Sequence, residues 1–133
     1  MADTKIETVQ RIYEAFGSGD VPTILDAITD DVDFASVPDS TFAPWYGIRH
    51  NKTEVAGFFK ALADNIEVTE FDVLAMASND TDVMATIRFG LTVPATGKSG
   101  TMLLHHWFRF DGDKIAFYRG SEDSAMTKEL LGK

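Results

Sequence analysis

The chain changes its hydrophobic period once. Up to about residue 65 apolar side chains recur three and four positions apart, and from Ile66 onward they alternate with polar ones. In the first part, Thr4-x-x-Glu7 reads as a capping box, and Ile6, Val9, Tyr13 and Phe16 form one helical stripe that stops at Gly17 and Gly19. Asp20 then predicts a second, shorter helix with Pro22 in its first turn, buried through Val21, Ile24, Leu25 and Ile28 and stopped by Thr29-Asp30-Asp31. Val32-Asp33-Phe34-Ala35 alternates as a short strand, after which Pro38 and Pro44 predict an irregular crossing to Trp45-Tyr46-Gly47-Ile48. Asn51-x-x-Glu54 opens a third helix whose Val55, Phe58, Phe59 and Leu62 share one face.

In the alternating part four strands are expected at about 66–77, 82–93, 99–110 and 114–122. They are separated by turn clusters at Ser78-Asn79-Asp80, Pro94-Ala95-Thr96-Gly97 and Asp111-Gly112-Asp113. Helices first and an antiparallel meander afterwards define an α+β chain with helices on one face of a curved sheet. Its 133 residues suit one domain spanning 1–133, and no repeat or low-complexity tract interrupts it.

Composition narrows the function. A net charge of −9 opposes nucleic acid and anionic membrane as partners, because both require clustered Lys and Arg. No apolar run approaches the roughly 20 residues of a membrane span, and Met1-Ala2-Asp3-Thr4-Lys5 has no signal-peptide character, so a cytoplasmic location is expected. The absence of cysteine excludes thiolate catalysis and thiolate metal sites.

The last hairpin carries the candidate chemistry. Met102, Leu104, His106, Phe108 and Phe110 share one face of their strand, and Leu103, His105, Trp107 and Arg109 share the other. A three-residue turn at Asp111-Gly112-Asp113 sets His106 opposite Tyr118, Leu104 opposite Gly120 and Met102 opposite Glu122. A two-residue turn shifts the pairing by one and brings Arg119 beside His106. The face holding both Arg109 and Arg119 belongs outside, since unpaired buried charge is costly, and His106 then points inward. An imidazole among Met, Leu and Phe is a candidate general acid or base with a pKa that burial can bring near the working pH; the plainer reading is a core histidine held by a carbonyl or by Tyr118.

Glu122 as base or orienter and Tyr118 as hydrogen-bond donor complete the candidate catalytic set; a solvated strand end and a pocket wall are their structural alternatives. Leu104 and Phe108 flank His106, Phe16, Phe58 and Phe59 face it from the helices, and Trp45 with Tyr46 is placed to overhang the pocket mouth. Asp123 suits the cap of a final short helix, and Arg88 is an outer-face residue. His105 and His106 point opposite ways along a strand and make no metal pair, and no phosphate loop or Ser-His-Asp signature is present, so neither metal nor cofactor is expected. Leu103, Trp107 and Phe117 are too many large apolar groups for a solvated outer face, which predicts a homodimer through it.

Several segments in order resemble the NTF2-like superfamily, in its SnoaL-like polyketide cyclase and ketosteroid isomerase-related branch. They are Gly17-Ser18-Gly19-Asp20-Val21 through Asp30-Asp31-Val32-Asp33-Phe34, Tyr46-Gly47-Ile48-Arg49 leading to Phe58-Phe59, and Trp107 to Ile115 leading to Asp123-Ser124-Ala125. The resemblance implies an NTF2-like (cystatin-like) cone of three helices on a curved, mainly antiparallel sheet that encloses a pocket, often dimeric through the sheet. The chain also departs from the family. Gly120 stands where the cyclases and epoxide hydrolases place a catalytic Asp, and the steroid isomerases' Tyr, Asp and strand acid fall on Ile12, Ser36 and His106. Tyr13 adjoins the first of these and would replace Ile12 only if the helix were rotated. What the resemblance implies is a cofactor-independent enzyme (isomerase, cyclase or hydratase class) acting on a small hydrophobic oxygenated molecule. The alternative is a binding or dimerisation module without catalysis.

Overall fold

The computed structural model describes residues 3–133, so Met1 and Ala2 of the expected leaderless start lie outside the described residues. Its elements run α1 (Thr4–Ser18), α2 (Val21–Asp26), β1 (Ile28–Ser36), β2 (Gly47–Arg49), α3 (Lys52–Asn65), β3 (Glu67–Ser78), β4 (Asp82–Val93), β5 (Lys98–Asp111), β6 (Lys114–Ser121) and α4 (Ser124–Leu130). The architecture is the expected α+β one, with three helices ahead of the long strands and the expected short helix at the end.

Local chemistry sets the helix ends. Asp3, not Thr4, caps α1: its extended backbone lets the carboxylate accept from Lys5 N at 2.9 Å and Ile6 N at 3.3 Å, which leaves Thr4 as the first helical residue. The helix closes on Gly19, whose φ of 73° is the left-handed value a glycine adopts without a Cβ penalty. Asp20 caps α2 and Asn51 caps α3, accepting from Thr23 N and Glu54 N. Glu54 reaches back to His50 N at 3.0 Å. Ile28 does not extend the buried side of α2. Ala27 ends that helix, and Ile28 opens β1 by pairing with Ile115, so Thr29-Asp30-Asp31 is strand rather than a helix stop.

The strands form one sheet in the order β2-β1-β6-β5-β4-β3, antiparallel throughout except for the β1–β6 pair. Two bulges in β3, where Thr69 and Leu74 have no partner across β4, bend the edge strand. α1 follows this bend, tied at its start by the Ser78 hydroxyl donating to the Asp3 carboxylate. Val9, Ile28, Val32, Val55, Ile87, Leu91 and Ile115 are fully buried between the helices and the inner sheet face.

The β5–β6 hairpin corrects the expected pairing. The turn is the two-residue Gly112-Asp113, with Asp111 opposite Lys114, and Ala116 is bulged out because Phe110 pairs with Ile115 while Arg109 pairs with Phe117. His106 therefore lies opposite Gly120, and Phe108 opposite Tyr118. Turn and bulge each move the register by one residue in the same direction, and a total of two restores the original faces. His106 and Tyr118 point inward and Arg119 outward, although each expected partner is displaced.

On the outer face charges are paired. Arg109 donates from Nε and Nη2 to the two carboxylate oxygens of Asp82 at 3.0 and 3.1 Å, and Trp107 Nε1 donates to the same group at 2.8 Å. These donors hold the Asp82 carboxyl down at about 2. Arg119 bonds Asp33 at 3.0 Å and lies over Phe117, 4.3 Å from its ring centre. Arg88 is exposed there, as expected, and Leu103 and Met84 are 47% and 52% exposed.

Candidate functional site

Between the helices and the inner sheet face lies a cavity of about 90 Å³. Tyr13 and Phe16 reach it from α1, Trp45 from the β1–β2 crossing, and Phe58 and Phe59 from α3. Leu104, His106 and Phe108 come from β5, Tyr118 from β6, and Glu122 from the residue just past its end. Tyr46, expected beside Trp45 at the mouth, does not line it. Aromatic contacts knit this lining: Phe34 stacks on Tyr118 at 4.4 Å between ring centres, and Phe16 touches Phe59 at 6.1 Å and Phe71 at 5.4 Å.

Helix α1 needs no rotation to present Tyr13, whose hydroxyl oxygen lies 2.8 Å from His106 Nδ1. Burial pushes the phenol pKa of Tyr13 up, so it remains protonated and can donate to the imidazole. The apolar surroundings pull His106 down to about 3, against the expectation that burial would bring it near the working pH. The ring is neutral at physiological pH, because charging it would require solvation that Phe108, Leu104 and Tyr118 cannot supply. When Tyr13 donates to Nδ1, the ring proton resides on Nε2, which has no protein partner among the described residues.

Tyr118 is the third member of this cluster. Its hydroxyl has no hydrogen-bond partner among the described residues, and burial, with Tyr13 and Glu122 nearby, raises its pKa well above the usual value. Glycine at 120 makes its position available, since a Cβ there would collide with the Tyr118 hydroxyl. The missing side chain at Gly120 and the placement of the phenol are one feature.

Glu122 is not a solvated strand end. Its Oε1 accepts from Trp45 Nε1 at 3.1 Å, and its Oε2 accepts from the Tyr46 hydroxyl at 2.9 Å and from the Thr127 hydroxyl. With three donors on about four lone-pair positions, its evident role is to bind the crossing to the start of α4. Trp45 is consequently a wall only 2% exposed, not a flap over the mouth. The crossing leaves β1 at Val37, a β-branched residue at φ 42° whose N–H donates to the Gly120 carbonyl at 3.1 Å. Such a backbone costs about 1–3 kcal/mol and is kept only where its surroundings enforce it. Asp123 caps α4 by accepting from Met126 N at 3.0 Å, which gives it a structural task. His105 is exposed on the opposite sheet face from His106.

The Tyr13–His106 contact was not expected, a carbonyl or Tyr118 being the plainer partner for His106; the helical stripe and strand parity taken together are the signal that could have found it. Tyr46 and Thr127 as partners of Glu122 had no periodic signal, because the crossing is irregular. Among the described residues no group of three or more His, Asp or Glu could hold a metal ion, and no helix is long and apolar enough to cross a membrane.

A curved sheet with a helix-covered cavity of this construction defines a class of small pocket proteins. The family model described as "SnoaL-like domain" matches residues 9–118, and the chain belongs to that family. Among solved structures, an NTF2-like protein of unknown function from Burkholderia pseudomallei is similar over 99% of this chain and 100% of its own, with 22% identity and a TM-score of 0.91. A protein provisionally named polyketide cyclase from Xanthomonas campestris matches over 96% of both chains at 16% identity and TM-score 0.79. An epoxide hydrolase from M. tuberculosis covers 97% of this chain and 90% of its own at 17% identity and TM-score 0.74. These likenesses establish the fold. No curated protein matches the chain in sequence.

Proposed function

We propose that the chain binds a small hydrophobic oxygenated molecule in this cavity and polarises its oxygen for acid–base chemistry of the isomerase, cyclase or hydratase kind. The observation that carries the reading is the cluster of Tyr13, His106 and Tyr118, three polar groups converging in a largely apolar chamber that Ser36, Ser121 and Glu122 also line. Tyr118 O–H and His106 Nε2–H act as uncharged donors to a substrate carbonyl, stabilising negative charge that develops on its oxygen. Tyr13 holds the imidazole in the tautomer that leaves Nε2–H free. Glu122 fixes the Trp45 wall and is the carboxylate nearest to hand for proton transfer. The polyketide cyclase and epoxide hydrolase neighbours support this class of chemistry.

The test is turnover of a panel of ring ketones and polyketide-like enones, with His106→Ala expected to lower kcat by about 100-fold. Because His106 stays neutral, the rate of the wild-type protein should show no inflection from this group between pH 5 and 8. Unchanged turnover in His106→Ala removes the reading. A second reading, binding without turnover, is favoured by one observation: Gly120 offers no carboxyl and the oxygens of Glu122 are already engaged. Tight binding without conversion across the panel would select it.

The outer face supports self-association in either case. On a molecule of net charge −9 this face holds Arg109 and Arg119 paired with Asp82 and Asp33, with Arg88 besides, around Leu103, Trp107 and Phe117, so two copies meeting there would bring together surfaces whose acids are paired. Sedimentation should show a dimer at micromolar concentration, and Trp107→Asp should convert it to monomer.

A further inference from the structure

Taking the cavity as the binding site just proposed, we infer that its ligand is a neutral, single-ring compound bearing one carbonyl or hydroxyl oxygen.

The cavity holds about 90 Å³. An apolar cavity of roughly 150 Å³ accepts one benzene ring, so a single ring is the upper limit here, and a four-ring skeleton would require the walls to part. Those walls are braced. Trp45 is tied to Glu122, Tyr13 to His106, and Tyr118 is stacked on Phe34. Half-buried Phe59 and Leu62 are the lining side chains with room to give, and a single ring already calls on that room.

Charge opposes anions. Among the described residues no Lys or Arg lines the cavity, and its carboxylate, Glu122, would repel an anion. A cation would reach that carboxylate only by displacing the neutral donors it already holds. Burial keeps His106 deprotonated and Tyr118 protonated, so these two polar positions are uncharged. The Tyr118 hydroxyl and His106 Nε2 together match one oxygen on an otherwise apolar ring, and the serine hydroxyls of the lining, Ser36 and Ser121, are neutral as well.

The experiment is calorimetric titration of the full chain at pH 7.5 with p-cresol, 4-methylcyclohexanone, toluene, benzoate, benzylamine, 2-naphthol and progesterone. The cresol or the ketone should bind at least about tenfold more tightly than benzoate, benzylamine, 2-naphthol and progesterone. Tyr118→Phe should weaken the oxygenated ring by about tenfold while leaving toluene unchanged, which shows that the cavity itself persists. Equal or tighter binding of benzoate, benzylamine or either fused-ring probe overturns the ligand class and leaves the pocket reading intact, as does a Tyr118→Phe variant that binds cresol like wild type. No binding by any probe overturns the pocket reading and the ligand class with it.

Discussion

The two faces of β5 treat polar groups in opposite ways. Outside, Asp82 is kept ionised by the Arg109 guanidinium and the Trp107 indole, and Arg119 is paired with Asp33. Inside, a few ångströms away through the same backbone, His106 is stripped of its proton and Tyr13 and Tyr118 are kept from losing theirs. Outside, Asp82 and Arg119 are given partners of opposite charge, whereas the imidazole and phenols of the cavity are kept neutral and its carboxylate, Glu122, is held by neutral donors. The difference teaches that polar groups around a pocket can be held without ion pairs, and that such groups select for hydrogen bonding.

The comparison breaks most visibly under truncation. Phe108→Ala on the inner face should cost about 3–5 kcal/mol in urea unfolding, because it removes a ring packed against Tyr13 and Tyr118, while Leu103→Ala next to Arg88 should fall within about 0.5 kcal/mol. Comparable losses from both would show that the outer face is as well packed as the core.

Acid should distinguish the faces next. The folded pKa of His106 is about 3 and the ordinary value 6.5, so below 6.5 the unfolded chain takes up a proton that the folded one refuses. Stability should drop by about 2 kcal/mol between pH 6.5 and 5, and His106→Gln should flatten that interval. Asp82 acts in a lower window. Its folded value of about 2 lies below the ordinary 3.8, so its contribution is complete above pH 4 and is lost as pH falls toward 2. An unfolding series in His106→Gln that still declines between pH 6.5 and 5 would assign the loss to another group.

A smaller effect than that of acid belongs to Asp82→Asn, which keeps the shape and removes the charge. It should cost about 1 kcal/mol at pH 7 because Arg109 remains largely solvated. Its loss should diminish in high salt, whereas the loss in Phe108→Ala should not.

Much of this division was legible in the sequence. Alternation assigned His106, Leu104 and Phe108 to one face and Trp107 and Arg109 to the other, and Asp20 and Asn51 marked helix starts that the structure retains. The pairing partners were not legible, because nothing about Ala116 distinguishes a bulged residue from a paired one. The Glu122 contacts were hidden for a different reason. They join the irregular 37–46 crossing to the start of α4, and no local period connects segments about 77 residues apart in sequence. Nor could Asp3 be preferred over Thr4 as the cap, since both residue types fit and only backbone angles decide.

The bulge at Ala116 also bears on how such chains can change over generations. Removing that residue would let Phe110–Ile115 and Arg109–Phe117 become consecutive rungs, with Tyr118, Gly120 and Glu122 keeping their orientation. A one-codon deletion is therefore absorbed at this point, whereas the same deletion between Phe117 and Glu122 would turn the residues beyond it to the wrong side. Length variation among relatives should collect at 116, and an alignment that opens its gap elsewhere in β6 would match this cavity's residues to another chain's surface.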